Sequence, residues 1–274
     1  MCGLTGLLLG DLRRTVAEDA RMTKTFTRLL VASEHRGPYA TGAARLLADG
    51  TVTLVKAPQP ATAFVASDAY CRWAVTPCHT TDLPHTCPTL SETTCLIGHT
   101  RWPSCGSVTR DAENHPLDMA TPILLTHNGT LADHHAHAKR LHVPLATAVD
   151  SEVIARLAQR HLVVGCLGVE ATLEDLTTLT GSLSAVLVAT TRPTEILLVK
   201  GNMPLCLTVH AERRLLAYAS EVGVLRTALA GEDGWEPLPM APGTALLVDT
   251  AAWDYTSYDF GFEGGMGRRT VTGQ

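Results

Sequence analysis

The sequence predicts an α+β fold in which antiparallel sheets carry helices on their outer faces. Three observations point there. Short apolar runs dominate the second half, at 183–190, 195–200, 205–209, 215–219 and 244–249, with one short helical stretch, 221–230, among them. A parallel βαβ sheet would instead alternate strands with helices. Two stretches carry the helical period. In 16–34, Met22, Phe26, Leu29 and Leu30 fall on one face, and in 151–162, Val153, Ile154, Leu157 and His161 do so. Finally, 45% of the 274 residues are hydrophobic, enough for a substantial core.

Taken in order, residues 2–9 are an apolar run closed by Gly10-Asp11 and read as a buried strand. The helix over 16–34 follows. Residues 43–47 and 51–55 read as a hairpin around Ala48-Asp49-Gly50, and 61–74 as a helix. Residues 75–93, rich in Pro, Thr, Cys and His, read as a loop. Residues 94–102 and 122–128 read as strands that end in polar motifs, and Ser151 is expected to cap the helix over 151–162. The last ten residues, 265–274, lack an apolar pattern and are expected to form a mobile tail.

The formal net charge is −5 and the pI near 6.2, so no basic surplus exists to attract nucleic acid. No apolar run approaches the ~20 residues that a bilayer span needs. The first ten residues lack a basic region and Asp11 follows at once, which argues against a signal peptide. Eight cysteines in a chain this rich in core residues are expected as small buried thiols in a reducing cytoplasm. The spacing of Cys71, Cys78, His79, His85, Cys87 and Cys95 is too irregular for a zinc site, which favours close Cys pairs. His134, His135, His137 and His142 read as a solvated polar face, and no metal is expected.

Cys2 opens the chemistry. Methionine is commonly trimmed ahead of a small residue, and that would leave Cys2 with a free α-amino group. Such an amine titrates near roughly 8 and can act as base for the adjacent thiol. On these residues alone, a chance cysteine in a buried first strand is the favoured reading. The other motifs bear on the choice. Arg36-Gly37-Pro38 comes first, then Gly98-His99-Thr100-Arg101-Trp102 with Gly106 behind it. Asn114-His115-Pro116, Thr126-His127-Asn128-Gly129 and Asp150-Ser151-Glu152-Val153-Ile154 follow.

In order and spacing these motifs resemble the glutaminase domain of class II glutamine amidotransferases, over residues 2–250, with 251–274 as an extension and tail. The resemblance implies a four-layer αββα N-terminal-nucleophile hydrolase fold, two stacked antiparallel sheets between helical layers. It implies Cys2 as nucleophile, with Asn128 and the Gly129 backbone N–H holding the oxyanion. Substrate binding falls to Arg101, Trp102, Ser104 and Asp150, with Arg36 and Gly37 supporting the nucleophile. The chemistry suits glutamine, since Arg101 offers a donor fork to the α-carboxylate and Asp150 an anion to the α-ammonium. His99 and His127 read as neutral residues at the core edge. No metal or organic cofactor is required, and the Cys- and His-rich loop over 75–93 reads as a lid.

Departures are visible. Where related enzymes carry Ala-Thr-His-Gly after Arg-Trp, this chain has Pro103-Ser104-Cys105-Gly106, and Tyr39 stands where an Asp is usual. The sequence contains no G-x-x-x-x-G-K-[ST] loop and ends with the glutaminase motifs, so a separate synthetase or transferase is the expected recipient of ammonia. Two alternatives stay open: an amidase for another acyl amide, which would not need Arg101 and Asp150, and an inactive regulatory or binding module.

Overall fold

The computed structural model describes residues 1–10, 14–75, 92–118, 121–132, 134–140 and 142–262. Among them the strands are β1 (Gly3–Leu9), β2 (Ala40–Leu47), β3 (Val52–Ala57), β4 (Thr93–Arg101), β5 (Ile123–Ala132), β6 (Leu162–Val163) and β7 (Cys166–Leu167). They continue as β8 (Thr180–Ala189), β9 (Glu195–Lys200), β10 (Cys206–His210), β11 (Leu215–Ala219), β12 (Glu236–Leu238), β13 (Thr244–Asp249) and β14 (Asp254–Asp259). The helices are α1 (Val16–Ala32), α2 (Ala61–Val65), α3 (Asp68–Ala74), α4 (His134–Arg140), α5 (Glu152–Arg160), α6 (Val169–Thr177) and α7 (Val222–Ala228).

A seven-stranded sheet runs β12-β10-β11-β1-β4-β2-β3 and a five-stranded sheet runs β14-β13-β9-β8-β5, with every pairing antiparallel. Side-chain alternation along the strands separates three cores. Leu4 and Leu8 of β1 join Ile97 of β4 between the sheets, with Leu124, Val186, Val188, Ile196 and Leu198 from the second sheet. Leu7 and Leu9 turn the other way, onto Phe26, Leu29 and Leu30 of α1 and Leu225 of α7. On the far side, Leu125, Leu187 and Leu197 pack with Val153, Ile154 and Leu157 of α5 and Leu173 and Leu176 of α6. The layers are therefore helix, sheet, sheet, helix: the αββα architecture of N-terminal-nucleophile hydrolases.

Local chemistry sets the element ends. Thr15 and Glu18 form a capping box at the start of α1, with the Thr15 hydroxyl accepting the Glu18 N–H at 3.2 Å and the Glu18 carboxylate accepting the Thr15 N–H at 2.7 Å. α1 stops at Ala32, two residues earlier than its apolar pattern predicts, and Glu34–Arg36 tighten into a 3-10 turn that carries Arg36 inward. The helix expected over 61–74 is two helices, because Ser67 breaks the chain and caps α3 by accepting the Tyr70 N–H. The hairpin over 43–55 is present and extends into β2 and β3.

β5 runs past its expected end at 128 to Ala132, because β8 pairs with it along its whole length. Asn128-Gly129 is thus mid-strand rather than the turn that the pair favours in isolation. α6, the β6–β7 hairpin and β14 gave no clear sequence signal. Most of the 75–93 loop and all of the 265–274 tail lie outside the described residues. Among the described residues, no helix is long and apolar enough to cross a membrane.

Candidate active site

Cys2 sits at the lip of the central strand of the larger sheet. Pairing of β1 with β4 sets Gly3 opposite Thr100, and so places Cys2 beside the Arg101–Trp102 end of β4. Its buried sulfur lies 3.4 Å from both the Trp102 carbonyl and the Trp102 N–H. Burial pushes the Cys2 thiol up, more than the Trp102 N–H, the chain's terminal ammonium and the Arg101 charge pull it down. Asp150 adds to the rise. The resting group is therefore a thiol.

The backbone of Cys2 is held from behind. Arg36 Nε donates to the Cys2 carbonyl at 2.8 Å, and Arg36 Nη1 pairs with Glu221. A Cβ on Gly37 would run into the backbone of Thr100 and Arg101, so only glycine lets this turn press on β4. Glu221, immediately ahead of α7, is a partner of Arg36 that sequence reasoning missed, because nothing local separates it from a surface glutamate. It braces Arg36, while Tyr39, in the position usually acidic, is half exposed and meets Trp102 edge-on at 5.0 Å.

Arg101 is buried and fixed by the loop that follows it. Nη1 donates to Asn114 Oδ1 at 2.7 Å and to the Ser107 carbonyl at 3.2 Å, and Nη2 donates to the Cys105 carbonyl at 2.6 Å. Asp150 is equally buried. Oδ2 accepts the Leu131 N–H at 2.7 Å, while Oδ1 accepts from the Ser151 N–H at 3.0 Å and the Cys105 thiol at 3.4 Å. Both charges act on Cys2. Ser104 is exposed, with its hydroxyl 3.9 Å from the Cys105 sulfur. Ser151, expected as a cap, makes no side-chain cap bond; its hydroxyl donates instead to His127 Nδ1 at 2.8 Å.

Asn128 and Gly129 come from the second sheet. Asn128 shares the inward face of β5 with Leu124 and Thr126, fully buried, and neither its Oδ1 nor its Nδ2 has a protein hydrogen-bond partner. Leaving such a group unsatisfied costs about 1–3 kcal/mol. Gly129 has φ 153°, and a Cβ there would collide with the Ser182 carbonyl on β8. The two sheets are tied here by His99 Nε2, which donates to the His127 carbonyl at 3.0 Å.

His99 and His127 are fully buried rather than at the core edge, and His115 joins them, its ring stacked on His99 at 4.3 Å. Burial holds all three below the ordinary histidine range, His99 at about 3. In the unfolded chain each would bind a proton near pH 6.5, whereas the folded form leaves it off. The unfolded state therefore gains protons as pH falls through that value, and stability is lost toward acid. The urea midpoint should hold above pH 7 and drop between pH 6.5 and 5, as the unfolding free energy falls by up to about 1.4 kcal/mol per pH unit for each histidine. A midpoint constant from pH 7 to 5 would contradict neutral burial.

Of the histidines after the Asn-Gly pair, His135 and His142 are exposed and His134 is half-buried, as a solvated face requires, and only His137 departs from it. His134 and His135 stack on each other at 4.2 Å, while His137 turns inward with Nδ1 2.9 Å from Arg140 Nη2. Among the described residues no His, Cys, Asp and Glu group could hold a metal ion. Cys78, His79, His85 and Cys87 lie outside those residues, Cys71 is exposed and Cys95 is buried.

No protein-family model matches the chain. Curated relatives are glutamine–fructose-6-phosphate aminotransferases. The one from Acidithiobacillus ferridurans is 29% identical over 143 residues, 50% of this chain and 23% of that protein. The one from Halobacterium salinarum is 32% identical over 111 residues, 39% of this chain and 18% of that protein. The chain thus spans less than a quarter of the length of these relatives. Among solved structures, glutamine phosphoribosylpyrophosphate amidotransferase from B. subtilis matches with a TM-score of 0.68 at 18% identity, covering 96% of this chain and 50% of that one. A class-II glutamine aminotransferase domain protein from Silicibacter pomeroyi matches with a TM-score of 0.52 at 16% identity, over 94% of this chain and 99% of that one. In sequence through the curated aminotransferases, and in fold through the solved amidotransferases, the chain is similar to class II glutamine amidotransferases and has their N-terminal-nucleophile hydrolase fold.

Proposed function

We propose that this chain is a glutaminase subunit of the class II amidotransferase type. With Met1 removed, the Cys2 α-amine takes the thiol proton, and the thiolate attacks the side-chain amide carbon of glutamine. The Asn128 amide and the Gly129 N–H receive the oxyanion. The C–N bond breaks as the α-ammonium returns its proton to departing ammonia, leaving a γ-glutamyl thioester that water opens to glutamate. The ammonia goes to a separate synthetase or transferase. The names of the curated relatives support an amino transfer from glutamine to an acceptor. Assaying glutamate release with and without proteins encoded nearby tests that last step, and a chain fully active alone, with no response to any partner, would refute it.

The observation that carries this reading is that two buried and opposite charges, Arg101 and Asp150, both act on the Cys2 thiol. An amidase for a plain acyl amide has no use for opposite charges there, whereas glutamine presents a carboxylate and an ammonium on one carbon. Arg101→Ala and Asp150→Ala should each raise KM for glutamine by at least about tenfold, since each leaves one substrate charge unpaired, with a smaller change in kcat. Unchanged glutamine kinetics in Arg101→Ala would favour the amidase.

A further inference from the structure

Cys105 stands where the resembling motif carries a histidine. It lies between the two charged groups of the pocket and touches both. Its carbonyl accepts Arg101 Nη2 at 2.6 Å. Its sulfur accepts the Asp150 N–H at 3.3 Å and its S–H donates to Asp150 Oδ1 at 3.4 Å. The loop can fold back this far because Gly106, at φ 71°, has no side chain, where a Cβ would lie 2.7 Å from Glu113 Oε2 and 3.3 Å from Arg101 Nη2.

We infer that Cys105 is a positioning residue that sets the Arg101–Asp150 spacing, so that the pocket reads an α-amino acid zwitterion. The inference rests on the glutaminase reading above. Arg101 is already immobilised on its other side by Asn114 and Ser107, and Asp150 by Leu131 and Ser151. Cys105 is the link between these two anchored groups. The thiol bond engages Oδ1, and Oδ2 accepts the Leu131 N–H, so the carboxylate is oriented at both oxygens before any ammonium arrives. An α-amino acid holds its ammonium and carboxylate at a fixed separation, so an error in that spacing weakens both contacts at once. Burial and the adjacent Asp150 carboxylate raise the Cys105 thiol, which keeps the S–H donor in place at neutral pH. A hydroxyl can make the same two bonds, and a methyl cannot.

The test is a pair of substitutions in the full-length protein, Cys105→Val and Cys105→Ser, read by steady-state glutamine kinetics. Cys105→Val should raise KM at least about tenfold with kcat within about threefold, and Cys105→Ser should restore KM to within about threefold of the parent. A second readout uses iodoacetamide alkylation of Cys2, followed by peptide mass spectrometry. The alkylation rate without glutamine should be the same in all three proteins, which shows a folded nucleophile site. The glutamine concentration that halves this rate should shift with KM. An unchanged KM in Cys105→Val overturns the inference, as does a fall in kcat equal to the loss in kcat/KM, or a serine variant no better than valine. If the parent hydrolyses glutamine and Cys105→Val matches it, the inference alone fails. If the parent neither hydrolyses glutamine nor is protected by it, the glutaminase reading and the inference fall together.

Discussion

Cys2→Ala is expected to abolish glutamate release, by at least about 10⁴-fold, because the acyl bond forms on the Cys2 sulfur and the neighbouring Cys105 thiol is engaged with Asp150. The fold should survive the change. Cys2 precedes β1, and its carbonyl, which Arg36 holds at 2.8 Å, is retained in alanine. Thermal melts should therefore be close to those of the parent protein. A glutamine-mimicking diazoketone should label Cys2 and none of the other seven cysteines. Cys105 is the stringent control, since it lies in the same pocket, but its thiol is engaged with Asp150. The same reasoning makes Met1 decisive. A form that keeps Met1 has an amide where the base should be and should be inactive with an unchanged fold. Intact mass spectrometry of active and inactive preparations checks this, and activity in Cys2→Ala equal to the parent would end the mechanism.

Asn128→Ala is expected to lower kcat by about 100- to 1000-fold while KM changes little, because the side chain meets the oxyanion only as the amide carbon becomes tetrahedral. Its effect on stability should run the other way from most buried substitutions. The Asn128 amide is fully buried with both polar atoms unpartnered in the protein, so removing it relieves a desolvation cost of about 1–3 kcal/mol. That relief offsets the cavity left by the lost atoms. The melting temperature should be retained or raised, a signature of a residue kept for chemistry rather than for packing. A kcat equal to the parent would remove Asn128 from the mechanism. A large fall in melting temperature would show instead that the residue supports the core.

The spacing of apolar residues made antiparallel sheets with helices on their outer faces legible, and the motif resemblance implied two stacked sheets between two helical layers. Met22, Phe26, Leu29 and Leu30 do lie on the buried face of α1, and the strands of the second half pair antiparallel as their density suggested. The motif order likewise pointed to Cys2, Arg101 and Asp150, which the fold brings to one place. These features are local, since a side chain's period and a motif's residue types are written in adjacent positions. What stayed hidden depends on partners distant in sequence. Glu221 lies 185 residues from the Arg36 it braces. Asn128-Gly129 carries the local signal of a turn, and the pairing with β8 overrode it. Ser151 looked like a cap and serves His127 instead, because the imidazole is a buried acceptor with no other donor at that nitrogen. Cys105 is the clearest case. Its sequence context marked only a departure from a motif, and only the return of the loop over Arg101, which brings it 45 residues back to Asp150, makes it a link between opposite charges.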